Sequence, residues 1–349
     1  MASIEAIQEA LREAGVAGWL FYDFRKSNPI ALRVLGLPAE AFFSRRWAYY
    51  VPAHGEPSAL VSAVESHVLN RLPGERRVYR TWQQFQRSLG EMVAGVKTVA
   101  MEYTPNCANP YVSRVDAGTV ELVRSLGPEV VSSGDFAQRF EAILTPSQIE
   151  SHRTAGRALL RARDGVAAWT REQTLAGTDL TEYSAQQEFA RLMRAEGLHV
   201  EAGDEPLVAV NGNAANPHYS PTPERHAPVR EGDLLLLDFS ARLVGAADHI
   251  VADYTWMYFL GERVPDRVAT LFGIIRQARD LGVELLRESF VTGRRIEGCA
   301  VDDAVRAFIT EQGYGDAFVH RTGHNIGVNV HGNGAHLDNL ETHDTRPLL

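Results

Sequence analysis

Two aspartates and a late run of histidines are the residues in this chain best suited to chemistry. Asp238 closes an apolar run that begins at Leu234, and Asp253 stands inside a second run from Ile250 to Phe259. Both runs are rich in branched and aromatic residues and read as β-strands. With Gly245-Ala246 as the tip of a hairpin, Asp238 and Asp253 fall directly opposite each other. Facing Cβ atoms in such a pair lie roughly 4.5–5.5 Å apart. Carboxylates that close repel unless they share a proton or a cation. The cation reading is a pair of metal ions, which hydrolytic sites hold about 3.5–4 Å apart; the plainer reading is two solvated turn residues.

Five of the twelve histidines lie between residues 320 and 343. His324 is flanked by Gly323 and, three residues on, Gly327, and glycines of this kind let the backbone approach a neighbour closely. His331 follows seven positions later, and His218 sits in a loop dense in turn residues. Any one of these is ordinary as a surface or core histidine. Taken with the aspartates they form a carboxylate-and-imidazole set, which suits Mn, Co, Fe or Zn; with no thiolate in it, a structural Cys-type zinc site is not indicated.

The elements that must position these residues divide the chain in two. Ser3 caps a first helix that Gly15 ends, and strands are expected over residues 18–23, 46–51, 58–61, 97–102 and 129–131. Helices over 64–71, 82–94 and 115–126 alternate with them, giving a small α/β domain over residues 1–143. Ser147-Gln-Ile-Glu150 has the pattern of a capping box and opens a long helix reaching about residue 171. A second helix starts at Thr181 and stops at Gly197, followed by a strand over 207–210 and the aspartate hairpin. Helices over 264–290 and 301–312 and a strand beginning at 318–320 make a second round, which hints at an internal duplication.

Composition narrows the function classes. The chain has 349 residues, 45% hydrophobic and 23% charged, with a formal net charge of −9 and no basic run. That speaks against nucleic acid or an anionic membrane as the partner. The two cysteines, Cys107 and Cys299, imply no disulfide framework. The N-terminus carries early acids rather than a basic segment before an apolar core, and no apolar run has membrane-spanning length. A soluble cytoplasmic protein is expected.

From about residue 145 the sequence resembles the pita-bread metallopeptidases, the M24 family of Xaa-Pro aminopeptidase, prolidase, creatinase and methionine aminopeptidase. The resemblance is to the Xaa-Pro branch, because residues 1–143 also look like its creatinase-type N-terminal domain. Five motifs occur in the family's order: Asn213-Ala-Ala-Asn-Pro-His218-Tyr, Gly232-Asp-Leu-Leu-Leu-Leu-Asp238, Ala252-Asp253-Tyr-Thr255, Thr322-Gly-His324-Asn-Ile-Gly327, and His331. The resemblance implies an α/β N-terminal domain and an α+β pita-bread catalytic domain over residues 144–349. It implies a peptidase for substrates with proline at the second position, acting through water activated by two divalent metals, manganese foremost. Asp238, Asp253 and His324 would be metal ligands and His218 and His331 catalytic residues on the substrate side; a homodimer is expected. Asp248 competes with Asp253 for the second carboxylate role. The family takes two further ligands from glutamates in a Pro-Gly-Met…Glu-Pro-Gly strand and a final Arg-x-Glu strand, which this sequence does not contain. A C-terminally shortened member with weak metal binding, poor turnover and exposed sheet edges is therefore expected. The alternatives are a creatinase-like hydrolase of small C–N substrates that works without metal, or a non-catalytic interaction protein.

Overall fold

A computed structural model describes residues 2–38, 41–200, 205–216 and 218–349. The described residues build two sheets joined by one long helix. The first sheet holds β1 (Gly18–Asp23), β2 (Trp47–Pro52), β3 (Ser58–Ser62), β4 (Glu75–Tyr79), β5 (Thr98–Met101) and β6 (Glu129–Ser132) in the order β4-β3-β2-β1-β5-β6. Every residue of β1 is buried, because its side chains alternate between two cores. Trp19 and Phe21 pack with α1 (Ile4–Ala14), α2 (Pro29–Val34) and residues of a helix at Gly134–Glu141. Leu20 and Tyr22 pack on the other face with α3 (Trp82–Met92) and α4 (Ala117–Ser125). A strand buried on both sides loses the polar alternation of a surface strand, which is why Gly18-Trp-Leu-Phe-Tyr reads as one apolar run. The Gly134–Glu141 helix is α5.

The connecting helix α6 (Pro146–Ala176) begins two residues earlier than its sequence pattern suggests. Its N-cap is Thr145, in a capping box with Gln148, and Ser147 lies inside the helix. Pro146 explains the shift, since its fixed φ and missing N–H suit the first helical position. α7 (Glu182–Ala195) opens at Thr181 as expected. α6 and α7 cover one face of the second sheet, β7 (Leu207–Val210), β8 (Leu234–Ala241) and β9 (Ala252–Phe259), in the order β7-β8-β9. α8 (Asp266–Thr292) and α9 (Gly298–Glu311) pack together around Ala278, Val305 and Ile309.

Two expected elements do not form. Residues 64–71 give only a 3₁₀ turn at Ala63–Glu65 followed by turns, because Leu69 takes a left-handed conformation (φ 65°) that a continuous helix excludes. The strand expected at 318–320 is absent among the described residues. Arg306 donates to the Phe318 and His320 carbonyls at 2.7 and 2.9 Å, so those acceptors are not free for a ladder. Residues 318–349 instead form loops tied by an isolated bridge between Gly323 and Leu337, and the second round therefore does not repeat the first.

Candidate metal centre

The face of the second sheet turned away from α6 and α7 carries the aspartates. Along β8, Leu235, Leu237, Phe239 and Ala241 are buried against the helices, while Asp238 alternates to the other side. The β8–β9 register pairs Asp238 with Thr255 and Ser240 with Asp253. The expected register, with the two aspartates directly opposite, is thus off by two residues. The turn over residues 242–251 is longer than a two-residue tip: Leu198 bridges Leu243, and the His249 ring bonds the Leu243 carbonyl at 3.1 Å. A slip of two keeps every side chain on its face, so the aspartates still share one surface, now as diagonal neighbours. The Thr255 hydroxyl donates to Asp238 at 3.0 Å. Burial raises the Asp238 pKa; the Thr255 bond opposes this, the negative charge of Asp253 adds to it, and His324 opposes it.

His324 is delivered to Asp253 by backbone contacts far apart in sequence. The Val251 amide, just before β9, donates to the Gly327 carbonyl at 3.0 Å. The adjoining residues are pinned to α6, where Ser151 Oγ accepts from Ile250 N at 3.1 Å and His152 Nδ1 donates to the Val251 carbonyl at 2.7 Å. Asp302 fixes the other side: fully buried, it accepts from Thr322 N and Oγ1 at 2.9 and 2.6 Å and pairs with Arg306 at 3.1 Å. The result places His324 Nε2 3.4 Å from Asp253 Oδ2. His324 Nδ1 lies 3.2 Å from the Asn325 carbonyl, which can only accept, so Nδ1 is the donor there. In the neutral ring, Nε2 then presents a lone pair to a carboxylate. Two acceptors face to face require a proton or a metal ion between them. Ligand atoms each about 2.1 Å from one ion lie roughly 3.0–3.4 Å apart at ordinary coordination angles, which the Asp253–His324 separation matches.

His331 stacks edge-on against His324, with ring centroids 4.5 Å apart. Burial, followed by the charges of His324 and Arg321, lowers its pKa. His218 is exposed, its backbone amide donates to Asn216 Oδ1 at 3.0 Å, and among the described residues no contact links it to this group. Asp248 is exposed, in the 242–251 connection, and among the described residues it makes no ion pair with an imidazole. Among the described residues no three His, Cys, Asp or Glu side chains gather closely enough to hold an ion as a ready-made cage. Asp253 and His324 fit a shared cation in pairwise geometry, and Asp238 joins them through charge on the same face. Beside His324 a cavity of about 340 Å³ is lined by His152, Ile250, Leu286, Ile326, Leu337 and Leu348 among others. Sequence reasoning missed Ser151, His152 and Asp302, which act through the backbone of distant segments and carry no motif of their own.

A helix-backed sheet whose open face sets carboxylates against imidazoles defines the class of pita-bread hydrolases. The chain belongs to metallopeptidase family M24, whose profile matches residues 150–349. It is 27% identical over 325 residues to the probable dipeptidase PepE of Mycobacterium tuberculosis, covering 92% of this chain and 78% of that protein. It is also 27% identical over 200 residues to the Xaa-Pro dipeptidase of Lactobacillus helveticus, covering 56% of this chain and 48% of that protein. The crystal structure of dipeptidase PepE from Mycobacterium ulcerans superposes on 99% of this chain and 84% of its own at a TM-score of 0.66 and 21% identity, the same fold. No helix among the described residues is long and apolar enough to cross a membrane.

Proposed function

We propose that this M24 enzyme hydrolyses short peptides with proline at the second position, as a cytoplasmic dipeptidase or aminopeptidase. It would be organised as a creatinase-like N-terminal domain over residues 1–143 and a catalytic domain over 144–349, in a homodimer. The observation that carries the reading is the Asp253 Oδ2 to His324 Nε2 approach of 3.4 Å, with Nδ1 committed to a carbonyl. Asp253 and His324, with Asp238 on the same face, would supply part of a site for two divalent ions, manganese foremost and cobalt, zinc or iron as substitutes, with the set incomplete among the described residues. Such ions lower the pKa of water and polarise a carbonyl. The protein's own part is to orient and to donate. His331, whose pKa burial lowers, would donate one hydrogen bond to the substrate carbonyl as negative charge develops there, and His218 would be a second donor on the substrate side. The cavity beside His324, walled by Ile250, Ile326 and Leu337, suits an uncharged ring such as proline.

The test is hydrolysis of an Xaa-Pro dipeptide by the purified chain with and without Mn²⁺, alongside Asp253→Asn and His324→Ala and with metal content measured on each. The expected result is slow, Mn²⁺-dependent cleavage with weakly bound metal, both abolished by the two substitutions. Cleavage that survives a strong chelator would remove the metal from the mechanism. That outcome would favour the creatinase-like C–N hydrolase reading, to which the stacked His324–His331 pair gives its own support. Neither metal uptake nor cleavage would leave the interaction-protein reading.

A further inference from the structure

We propose that Glu182 is a positioning residue that holds the His218 loop in its working conformation; this rests on the assignment of His218 to the substrate side. Glu182 is the first residue of α7 and is fully buried. Among the described residues no Lys or Arg pairs with it. Its carboxylate is met instead by donors from four separate points of the chain. Oε1 accepts from the Val210 amide at 2.7 Å, at the end of β7, and from Asn213 Nδ2 at 3.0 Å. Oε2 accepts from the Ala227 amide at 2.7 Å, from Asn213 Nδ2 at 3.2 Å, and from the Tyr219 hydroxyl.

These donors bracket His218 on both sides. Asn213 precedes it in the loop and Tyr219 follows it directly. Val210 and Ala227 mark where the loop leaves β7 and where the chain returns toward β8. The return is clamped by the backbone as well: Glu182 N donates to the Ala227 carbonyl at 3.0 Å, and Val229 N donates to the Leu180 carbonyl at 2.8 Å. A buried carboxylate without a cation is costly unless its oxygens are saturated with donors. Here the saturation and the loop's shape are one arrangement, because releasing the loop would strip the carboxylate. A side chain that only filled the α7–β7 core would be better served by an apolar residue, as Phe189 and Met193 are on the same helix.

His218 itself is exposed, and among the described residues its side chain makes no bond that would orient it, so its placement depends on its flanks. Glu182→Gln keeps the size but turns one acceptor into a donor, which cannot serve both the Val210 and Ala227 amides. Tyr219→Phe removes one donor and disturbs the fold least. Two measurements on the full chain separate this proposal from the peptidase reading. The first is tryptic cleavage after Arg225, an exposed site in the same loop. Ten-fold faster cleavage there in Glu182→Gln, well beyond any increase at sites outside the loop, and a smaller increase in Tyr219→Phe with its thermal midpoint little changed, is the expected result. Unchanged cleavage in both variants overturns the proposal, whatever the chain's activity. The second is a cycle of Glu182→Gln with His218→Ala on kcat/KM toward an Xaa-Pro dipeptide. About ten-fold loss for Glu182→Gln alone, but under two-fold when His218 is already absent, supports positioning through His218. Losses that multiply show a role in stability alone and overturn it. A wild-type chain without peptidase activity refutes the function proposed above, while the cleavage measurement still decides the role of Glu182 in the loop.

Discussion

Glu102, the residue just after β5, gives the prediction with the most definite magnitude. It is fully buried, and burial pushes its pKa from 4.5 up to about 7 against the opposing bonds from Asn28, Trp19 and Ser133. The folded protein therefore keeps this proton to near pH 7, while the unfolded chain releases it near 4.5. Unfolding between those values releases a proton, so rising pH favours the unfolded state. The stability from this group is fully present below about pH 4.5 and is lost as pH rises through about 7. The span corresponds to roughly 3 kcal/mol, at about 1.4 kcal/mol per pH unit. Glu102→Gln removes the titration and adds a fixed cost. Trp19 Nε1 donates to Oε1 at 2.6 Å and Asn28 Nδ2 donates to Oε2 at 2.6 Å. An amide has one acceptor for these two donors, and Trp19 cannot accept in return. With the amide oxygen toward Trp19, its NH₂ faces that of Asn28, an unmet pair costing about 1–3 kcal/mol. At pH 5 the variant should be the less stable protein. By pH 8 the gap should close by roughly 3 kcal/mol and reach zero or reverse. Urea unfolding followed by tryptophan fluorescence between pH 5 and 8 measures it. Parallel pH profiles for the two proteins would refute the reasoning.

His336 should show the opposite slope. It is fully buried, and burial, reinforced by Arg321 and Arg346, pushes its pKa down to about 3; its contribution is present above pH 6.5 and lost as pH falls toward 3. His336→Phe, which keeps the packing against Tyr111, should lose less stability between pH 6.5 and 4.5 than wild type, read by the same urea series. Because the two groups oppose each other in that window, Glu102→Gln should make acid sensitivity more visible there. Gly298→Ala should cost about 2–3 kcal/mol in urea or thermal unfolding, since the new Cβ would lie 1.8 Å from the His336 carbonyl oxygen, a backbone atom.

The elements were legible in the sequence wherever local chemistry decides them. Ser3, Thr181 and the αL glycine Gly15 mark helix ends through bonds made within a few residues. The face on which the aspartates lie was legible too, because a period of two survives any even slip. The register itself was not, because the turn over 242–251 is held from outside. Leu198 bridges Leu243, and the Gly197 carbonyl accepts from Val244 at 3.0 Å, so the loop's length is set by the end of α7 and not by Gly245. The same limit hid the false strand at 318–320: that segment is apolar enough to pair, but Arg306, one helix earlier, takes its carbonyls.

The convergence of Asp253 and His324 belongs to the same class of effect, and it can be traced to named bonds. The histidine segment has no named strand among the described residues; besides the Gly323–Leu337 bridge, three contacts hold it. Asp302 grips Thr322 before His324, Val251 grips Gly327 after it, and the Asn325 amide donates to His336 Nδ1 at 3.1 Å between them. His336 is braced in turn from the first sheet's side. Its amide donates to Asp344 Oδ2 at 2.9 Å, Asn109 donates to that same oxygen at 3.2 Å, and Gln138 of α5 accepts from Ala335 N and donates to the Pro347 carbonyl. The N-terminal sheet and its helices therefore help set where the imidazole meets the carboxylate. Asn109→Ala or Gln138→Ala, remote from every motif, should therefore weaken divalent-metal binding measured by titration, because each removes a side-chain support of the loop that carries the ring, whereas the Gly327 support is a backbone carbonyl that a substitution there would keep.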